Sequence, residues 1–411
     1  MKYTIVILFS LIAIASGSFA RERVKTGDEV LVDKYLNMIK GKTVGIITNQ
    51  SGRLQNGKSI IDVLAKEPGI KVVALFSPEH GIRGKASAGE GVSGSIDRKT
   101  GLPIYSLYGK TKKPTARMLK GIDVLLYDIQ DVGTRFYTYI STLDYCLQAA
   151  AAQHIEFIVL DRPDMLRSNL VEGPVLVDSL RSFIGIQPIP SVYGMTPGEF
   201  ATMINDAGML EGGVKADLKV IKMEHYRRSM WYDQTGLKWI TPSPNLPDMN
   251  AVEVYPGNVL IEATNVSEGR GTKHPFEVIG APYINSRELV SLLNEQHITG
   301  VAFKADTFTP RPYPWAIKPK YQGEVCHGIK ITVTERNVLK PVEMGITIVW
   351  AIRKLYPDKF KFIPSYFDLL AGTTTVRTML EEGKTPSEIS ASWKEGLERF
   401  EKLREKYLLY R

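Results

Sequence analysis

Asp123-Val124-Leu125-Leu126-Tyr127-Asp128 is apolar on both faces of an extended chain and ends on a carboxylate. Side chains of a strand alternate between its two faces, so a run without polar alternation must be covered on both sides. Working outward, Tyr137 to Gln153 reads as a long helix, and Glu156-Phe157-Ile158-Val159-Leu160-Asp161 repeats the strand pattern. Upstream, Thr43-Val44-Gly45-Ile46-Ile47-Thr48-Asn49 and Val72-Val73-Ala74-Leu75-Phe76-Ser77 repeat it again, with a helix over Lys58 to Lys66 between them and a short strand at Ile104 to Tyr108. Buried strands alternating with helices predict an α/β fold: a Rossmann-like, doubly wound and mostly parallel sheet. This domain is expected to span residues 21–250. A second, smaller α+β C-terminal domain, residues 251–411, is expected to close over a cleft. There, Gly328 to Thr334 alternates like a half-exposed strand, and Pro341 to Tyr356 and Ser387 to Tyr407 read as helices. Between the two, Trp239 to Pro256 carries Pro242, Pro244, Pro247 and Pro256 and reads as an irregular, cleft-lining connector.

The chain has 411 residues, 44% hydrophobic and 23% charged, which excludes a disordered protein. Its formal charge of +8 suits an acidic partner. Lysine and arginine are spread rather than clustered, which favours an anionic cell-wall polymer over nucleic acid. Residues 1–20 have the three parts of a secretory signal: Lys2, an apolar run from Ile5 to Ala15, and Ser18-Phe19-Ala20 before the cleavage point. The expected location is periplasmic or secreted, with no membrane contact after cleavage. Cys146 and Cys326 are expected to be buried thiols rather than a bridge.

Ligands of such sheets bind beyond the carboxyl ends of the strands. The polar groups there are Asn49, then Glu79, His80 and Arg83, then Asp128, Gln130 and Asp131, then Asp161 and Arg162. Three segments concentrate the chemistry. In Ser77-Pro78-Glu79-His80-Gly81 a proline stops the strand and a carboxylate is presented, as glycoside cleavage needs for its proton donor; His80 could orient a group or share a proton. Asp128 to Tyr139 packs Gln130, Asp131, Arg135, Tyr137 and Tyr139 into one turn, a mixture suited to sugar hydroxyls and an anionic group. Ser267 to Glu277 places Glu268, Arg270, Thr272 and Glu277 around Gly269 and Gly271. Trp231, Trp239 and Tyr193 are candidate sugar-stacking platforms. No nucleophile elbow, serine–lysine pair or zinc-type histidine spacing occurs, so neither a metal nor any other cofactor is expected. Gly89, Gly91 and Gly94 match a dinucleotide fingerprint in spacing only, since no strand leads into them; they are expected to form a loop near the ligand.

Taken together, Gly45 to Gly52, Phe76 to Gly84, Asp128 to Tyr137, Glu172-Gly173-Pro174, Pro242 to Pro247 and Ser267 to Thr272 with Pro275 to Glu277 resemble the exo-β-N-acetylmuramidase (NamZ) family, glycoside hydrolase family 171, formerly domain of unknown function 1343. The resemblance runs to the Tyr407-Leu408-Leu409-Tyr410 ending. It implies an exo-acting glycoside hydrolase that releases N-acetylmuramic acid from non-reducing ends of peptidoglycan fragments and muropeptides. Glu79 occupies the family's expected catalytic position, and Glu268, Asp131 and Glu172 are candidates for a second group. The lactyl carboxylate of N-acetylmuramic acid needs a cation, for which Arg83, Arg135, Arg162 and Arg270 are available. Asn49, Gln130, Tyr137, Tyr139, Tyr193, Asn245, Thr272 and Glu277 are the further expected substrate contacts. The rival readings are a non-catalytic muropeptide-binding protein and an enzyme acting on amide or ester bonds of peptidoglycan.

Overall fold

The computed structural model describes residues 22–79, 81–83 and 95–411. The expected secretory signal at residues 1–20, His80 and the Gly89–Gly94 segment lie outside the described residues.

Nine strands come from the first part of the chain: β1 Thr43–Thr48, β2 Lys71–Ser77, β3 Ser95–Ile96, β4 Pro103–Ser106, β5 Val124–Asp128, β6 Glu156–Leu160, β7 Glu172–Val175, β8 Pro190–Val192 and β9 Leu218–Ile221. Seven of these form one sheet in the order β3-β4-β2-β1-β5-β6-β9, with β7 and β8 paired separately. Every pairing in the large sheet is parallel except β3 with β4. The chain therefore winds one way from β1 and the other way from β5, and the switch point lies between these two neighbours.

Burial follows strand alternation. Ile47, Leu125, Tyr127, Phe157 and Val159 pack into one core, while Val44, Ile46, Val124, Leu126, Ile158 and Leu160 pack into another on the opposite face. Each such side chain contributes about 1.5–3 kcal/mol when fully buried. The long helix is Tyr139–Ala152, within the expected span, and most of its residues are buried.

The smaller C-terminal domain holds an antiparallel sheet in the order β10-β12-β11, formed by β10 Val278–Ala281, β11 Val301–Phe308 and β12 Cys326–Val333, with helices packed against it. Two expectations change. The connector is not irregular to its end, because Met249–Asn258 is a helix that Asp248 caps through the Ala251 amide at 3.0 Å. Pro256 is tolerated in its last turn, where the helix tightens into a 3-10 turn at Val259–Ala263. This helix crosses Pro341–Leu355 so closely that a Cβ on Gly257 would lie 2.0 Å from the Pro341 carbonyl oxygen. The helix expected over Ser387 to Tyr407 is broken into Pro386–Ala391 and Lys394–Arg404.

The C-terminal residues return to the first domain. The Tyr410 hydroxyl donates to Asp161 Oδ2 at 2.6 Å, beyond the end of β6. Cys146 and Cys326 are both free and buried. No helix among the described residues is long and apolar enough to cross a membrane.

Candidate active site

Parallel register builds the first half of the site. β2 pairs with β4 so that Ser77 lies opposite Ser106. Two residues further along each strand, Glu79 and Tyr108 come together, and their side chains interact. Burial, followed by the Glu79 carboxylate, pushes the Tyr108 hydroxyl upward, so it remains a proton-bearing donor. On its other side, Glu79 Oε2 accepts from Thr138 Oγ1 at 3.1 Å. Thr138 is the N-cap of the Tyr139–Ala152 helix, whose N-terminal dipole favours a negative charge.

The second half comes from the connector and the C-terminal domain. One cavity is lined by Glu79, Tyr137 and Thr138 from the first domain and by Asn245, Tyr255 and Arg270 opposite. Tyr255 sits on the helix that replaced the expected loop. The Asn245 side chain is buried, yet its Oδ1 has no hydrogen-bond partner among the described residues. A buried acceptor left open on a cavity wall is a place for a ligand donor.

Arg270 is presented by a constrained loop. Gly269 has φ +79°, and a Cβ there would meet the Val278 carbonyl oxygen at 2.6 Å. Phe276 holds φ +64°, a conformation that costs a non-glycine residue about 1–3 kcal/mol. Its amide is tied to the Glu268 carbonyl at 2.7 Å, and its ring stands edge-on to Tyr255 with centroids 4.9 Å apart. The guanidinium of Arg270 lies over Phe276 and donates to Glu262 Oε1 from Nη2 at 2.6 Å. Glu262 is steadied in turn by the Tyr366 hydroxyl at 2.9 Å.

Glu268 is buried beside this pair, 3.7 Å from Arg270 Nε and 3.0 Å from Lys320 Nζ. The Lys320 ammonium gives its protons to the carbonyls of Ile261, Glu262 and Val266. It therefore supplies Glu268 Oε2 with charge but no hydrogen bond, and that oxygen stays without a hydrogen-bonding partner among the described residues. Glu277 accepts from Asn250 at 2.8 Å, and burial raises its pKa. The Thr272 hydroxyl closes its own turn onto the Gly269 carbonyl at 2.7 Å.

Most of the other expected contacts have partners inside the protein. Arg83 pairs with Asp62 and Asp97, at 3.2 and 2.8 Å. Arg162 is buried between Asp28 and Asp128, at 2.8 and 2.5 Å. Arg135 is fully buried without a carboxylate. It donates to the Leu370 carbonyl at 2.8 Å at the end of the Pro364–Ala371 helix, and burial lowers its pKa to about 9. Glu172 caps the Pro341–Leu355 helix by accepting from the amides of Val342 and Glu343. Asp131 accepts at Oδ2 from the Tyr193 hydroxyl at 2.6 Å and the Gly133 amide at 2.7 Å, and its buried Oδ1 has no hydrogen-bond partner among the described residues. The Gln130 amide bridges the carbonyls of Asp131 and Pro163. Asn49 Oδ1 accepts from Ser51. The Tyr139 hydroxyl donates to the Pro242 carbonyl at 3.2 Å, behind Tyr137. Trp231 is buried with Arg167 and Arg336 over its ring, and Trp239 stands edge-on to Tyr232; neither lines the cavity.

Sequence reasoning passed over Tyr108, Thr138 and Tyr255. Thr138 lay inside a segment singled out for its charge, and the parallel register of β2 and β4 was a usable signal for Tyr108. Tyr255 had none, because its helix was read as a loop. Among the described residues, no group of three or more histidine, cysteine, aspartate or glutamate side chains could hold a metal ion.

A doubly wound sheet with a strand-end carboxylate, facing an arginine and an amide across a cavity, is an arrangement suited to a Rossmann-like glycoside hydrolase. Residues 44–250 match the family model described as exo-beta-N-acetylmuramidase NamZ, N-terminal, and residues 253–410 match its C-terminal counterpart. The chain belongs to the NamZ exo-β-N-acetylmuramidase family. It is 48% identical over 391 residues, covering 95% of this chain and 92% of the relative, to the peptidoglycan beta-N-acetylmuramidase NamZ of Bacillus subtilis (strain 168). Two crystal structures of DUF1343 family proteins from Bacteroides fragilis NCTC 9343 share its fold. One has a TM-score of 0.88 at 36% identity and the other 0.77 at 37%, each covering 95% of this chain and 99% of that protein.

Proposed function

We propose that this protein removes N-acetylmuramic acid from the non-reducing ends of peptidoglycan fragments, with Glu79 as its proton-handling carboxylate. The observation that carries this reading is the pairing of Glu79 with Arg270 on one cavity. Of the four arginines considered for the lactyl carboxylate, Arg83, Arg162 and Arg270 are all held in ion pairs and Arg135 is buried on a helix end, but Arg270 is the one that lines the cavity with Glu79. Arg270 therefore reads the lactyl group while Glu79, held between Thr138 and Tyr108, serves the glycosidic oxygen. Asn245 Oδ1 accepts from a sugar hydroxyl or from the acetamido N–H.

Glu268 is the candidate for the second group, since it lies 3.7 Å from the cavity-lining Arg270, whereas Glu172 caps a helix and Asp131 lies against Tyr193. Carboxyl groups ~5–5.5 Å apart retain configuration and ~6.5–9.5 Å apart invert it, so proton NMR of the first-formed sugar anomer assigns the partner's role. Export through the leader at residues 1–20, to the periplasm or outside the cell, belongs to the same reading and rests on its sequence pattern. N-terminal sequencing of the mature protein beginning at Arg21 supports it; an intact Met1 in the extracellular or periplasmic fraction refutes cleavage.

The central test is release of muramic acid from a chromogenic N-acetylmuramide by wild type and Glu79→Gln. Near-normal turnover by the variant removes Glu79 from its role. Saturable sugar binding by wild type without any cleavage replaces the hydrolase with a binding protein.

A further inference from the structure

The chain that leaves β11 makes a hairpin on which Pro312, Pro314, Trp315 and Ile317 are exposed. Within Arg311-Pro312-Tyr313-Pro314-Trp315-Ala316-Ile317, Tyr313 and Ala316 exchange backbone hydrogen bonds of 3.2 and 2.9 Å. Tyr313 and Trp315 stack with centroids 5.4 Å apart and planes 6° from parallel. Trp315 is 38% exposed and Ile317 62%. A tryptophan that keeps more than a third of its surface in water forfeits burial energy that the fold could have used, and a rigid aromatic surface in that position suits a binding face.

The hairpin is fastened to the active site at three points. The Arg311 amide donates to the Gly271 carbonyl at 2.8 Å, next to Arg270. Asn245, which lines the cavity, reaches the Trp315 carbonyl from Nδ2 at 3.4 Å. At the hairpin's far end, Lys320 holds the three carbonyls of the Ile261–Val266 segment. The platform is thus continuous with the cavity wall and turned toward solvent at its edge.

We propose that the Tyr313–Trp315 stack binds the leaving-group sugar, the pyranose on the reducing side of the scissile bond. This rests on the muramidase reading above. An exo-acting enzyme takes the terminal ring into the cavity, so the next ring must lie at the rim. The apolar C–H face of a pyranose matches an aromatic plane, and a stack held rigid by Pro312 and Pro314 loses little entropy on binding. Stacking across the leaving group also accounts for the aromatic pair lying outside the cavity rather than within it.

The test compares two substrates on wild type, Trp315→Ala and Trp315→Phe. One is the disaccharide of N-acetylmuramic acid β-linked to N-acetylglucosamine. The other is β-muramyl fluoride, whose leaving group is too small to reach the hairpin. We expect Trp315→Ala to lose about five- to tenfold in kcat/KM on the disaccharide, mostly through KM, with no change on the fluoride and an unchanged melting temperature. Trp315→Phe should recover most of the loss. Equal effects on both substrates, or no effect on the disaccharide, overturn the proposal and leave the muramidase intact. Wild type that cleaves neither substrate overturns the muramidase reading itself.

Discussion

The ends of β5 and β6 and the end of β2 look alike in sequence: each is an apolar strand running into carboxylate, amide or guanidinium groups. Their fates are opposite. Beyond β5 and β6, Asp128, Asp131, Asp161 and Arg162 are buried and engage one another, the backbone, Tyr193 and Tyr410. Beyond β2, Glu79 has a hydroxyl on either side and a cavity in front of it. The difference lies in what covers each strand end. The Tyr410 ending and the Asp28 segment seal the first group, whereas the C-terminal domain approaches the second across a gap. The polar ends of β5 and β6 thus bind the protein to itself, and the cavity opens beyond β2 instead.

The sharpest way to break this comparison is Glu79→Gln. Loss of a positioned proton donor costs about 10³-fold in turnover, with an unchanged melting temperature; a chromogenic assay with thermal unfolding reads both. Arg162→Ala should do the reverse. It leaves two buried carboxylates without their cation and should destabilise the fold by about 3–5 kcal/mol, while the surviving folded fraction keeps its KM. A collapse in kcat without loss of stability would return Arg162 to the site.

Arg270→Ala should raise KM for N-acetylmuramides about 10- to 100-fold, in line with loss of a charge-assisted contact. It should scarcely affect whatever weak turnover occurs on N-acetylglucosaminides, which lack the lactyl group. Equal losses on both sugars would make Arg270 a structural residue.

A smaller effect separates the two regions by pH. Burial pushes the carboxyls of Asp131 and Asp164 up to about 7 from an ordinary value of 3.8. The native protein therefore holds protons between about pH 4 and 7 that the unfolded chain releases. Their stabilising contribution is complete below the unfolded value and is lost as pH rises through 7. Asp164→Asn keeps the oxygen that accepts the Leu166 amide, and the fall in melting temperature from pH 5 to pH 8 should shrink by about 1–3 °C. Parallel falls in wild type and variant refute this titration. Arg83→Ala, on a partly exposed pair with Asp62 and Asp97, should leave kcat/KM unchanged and stability within about 1 kcal/mol.

The strands of the large sheet were legible because burial on both faces leaves uninterrupted apolar runs in the chain. Each of the five expected parallel strands lies within one residue of its range at its N-terminus and two at its C-terminus. The Met249–Asn258 helix was not legible, since four prolines within eighteen residues conceal a single capped turn and its two successors. Its stability comes from packing Gly257 against Gly345 of a distant helix, which no local pattern encodes. Thr272 closing its turn and Glu172 capping a helix were not legible for a related reason. A polar side chain that closes a turn or caps a helix looks in sequence like one that awaits a ligand.

By itself the sequence determined the fold class and the family and singled out Glu79 as a candidate, because hydrophobic periodicity and the Ser77–Gly81 segment are local properties of the chain. Only the tertiary structure decided which of the four arginines faces the cavity. A guanidinium's role depends on the carboxylates and carbonyls that folding brings within about 3 Å of it. For Arg83, Arg135 and Arg162 those partners lie tens to hundreds of residues away or on another domain and outside the cavity, whereas Arg270, paired with Glu262 eight residues away, is carried to the cavity wall.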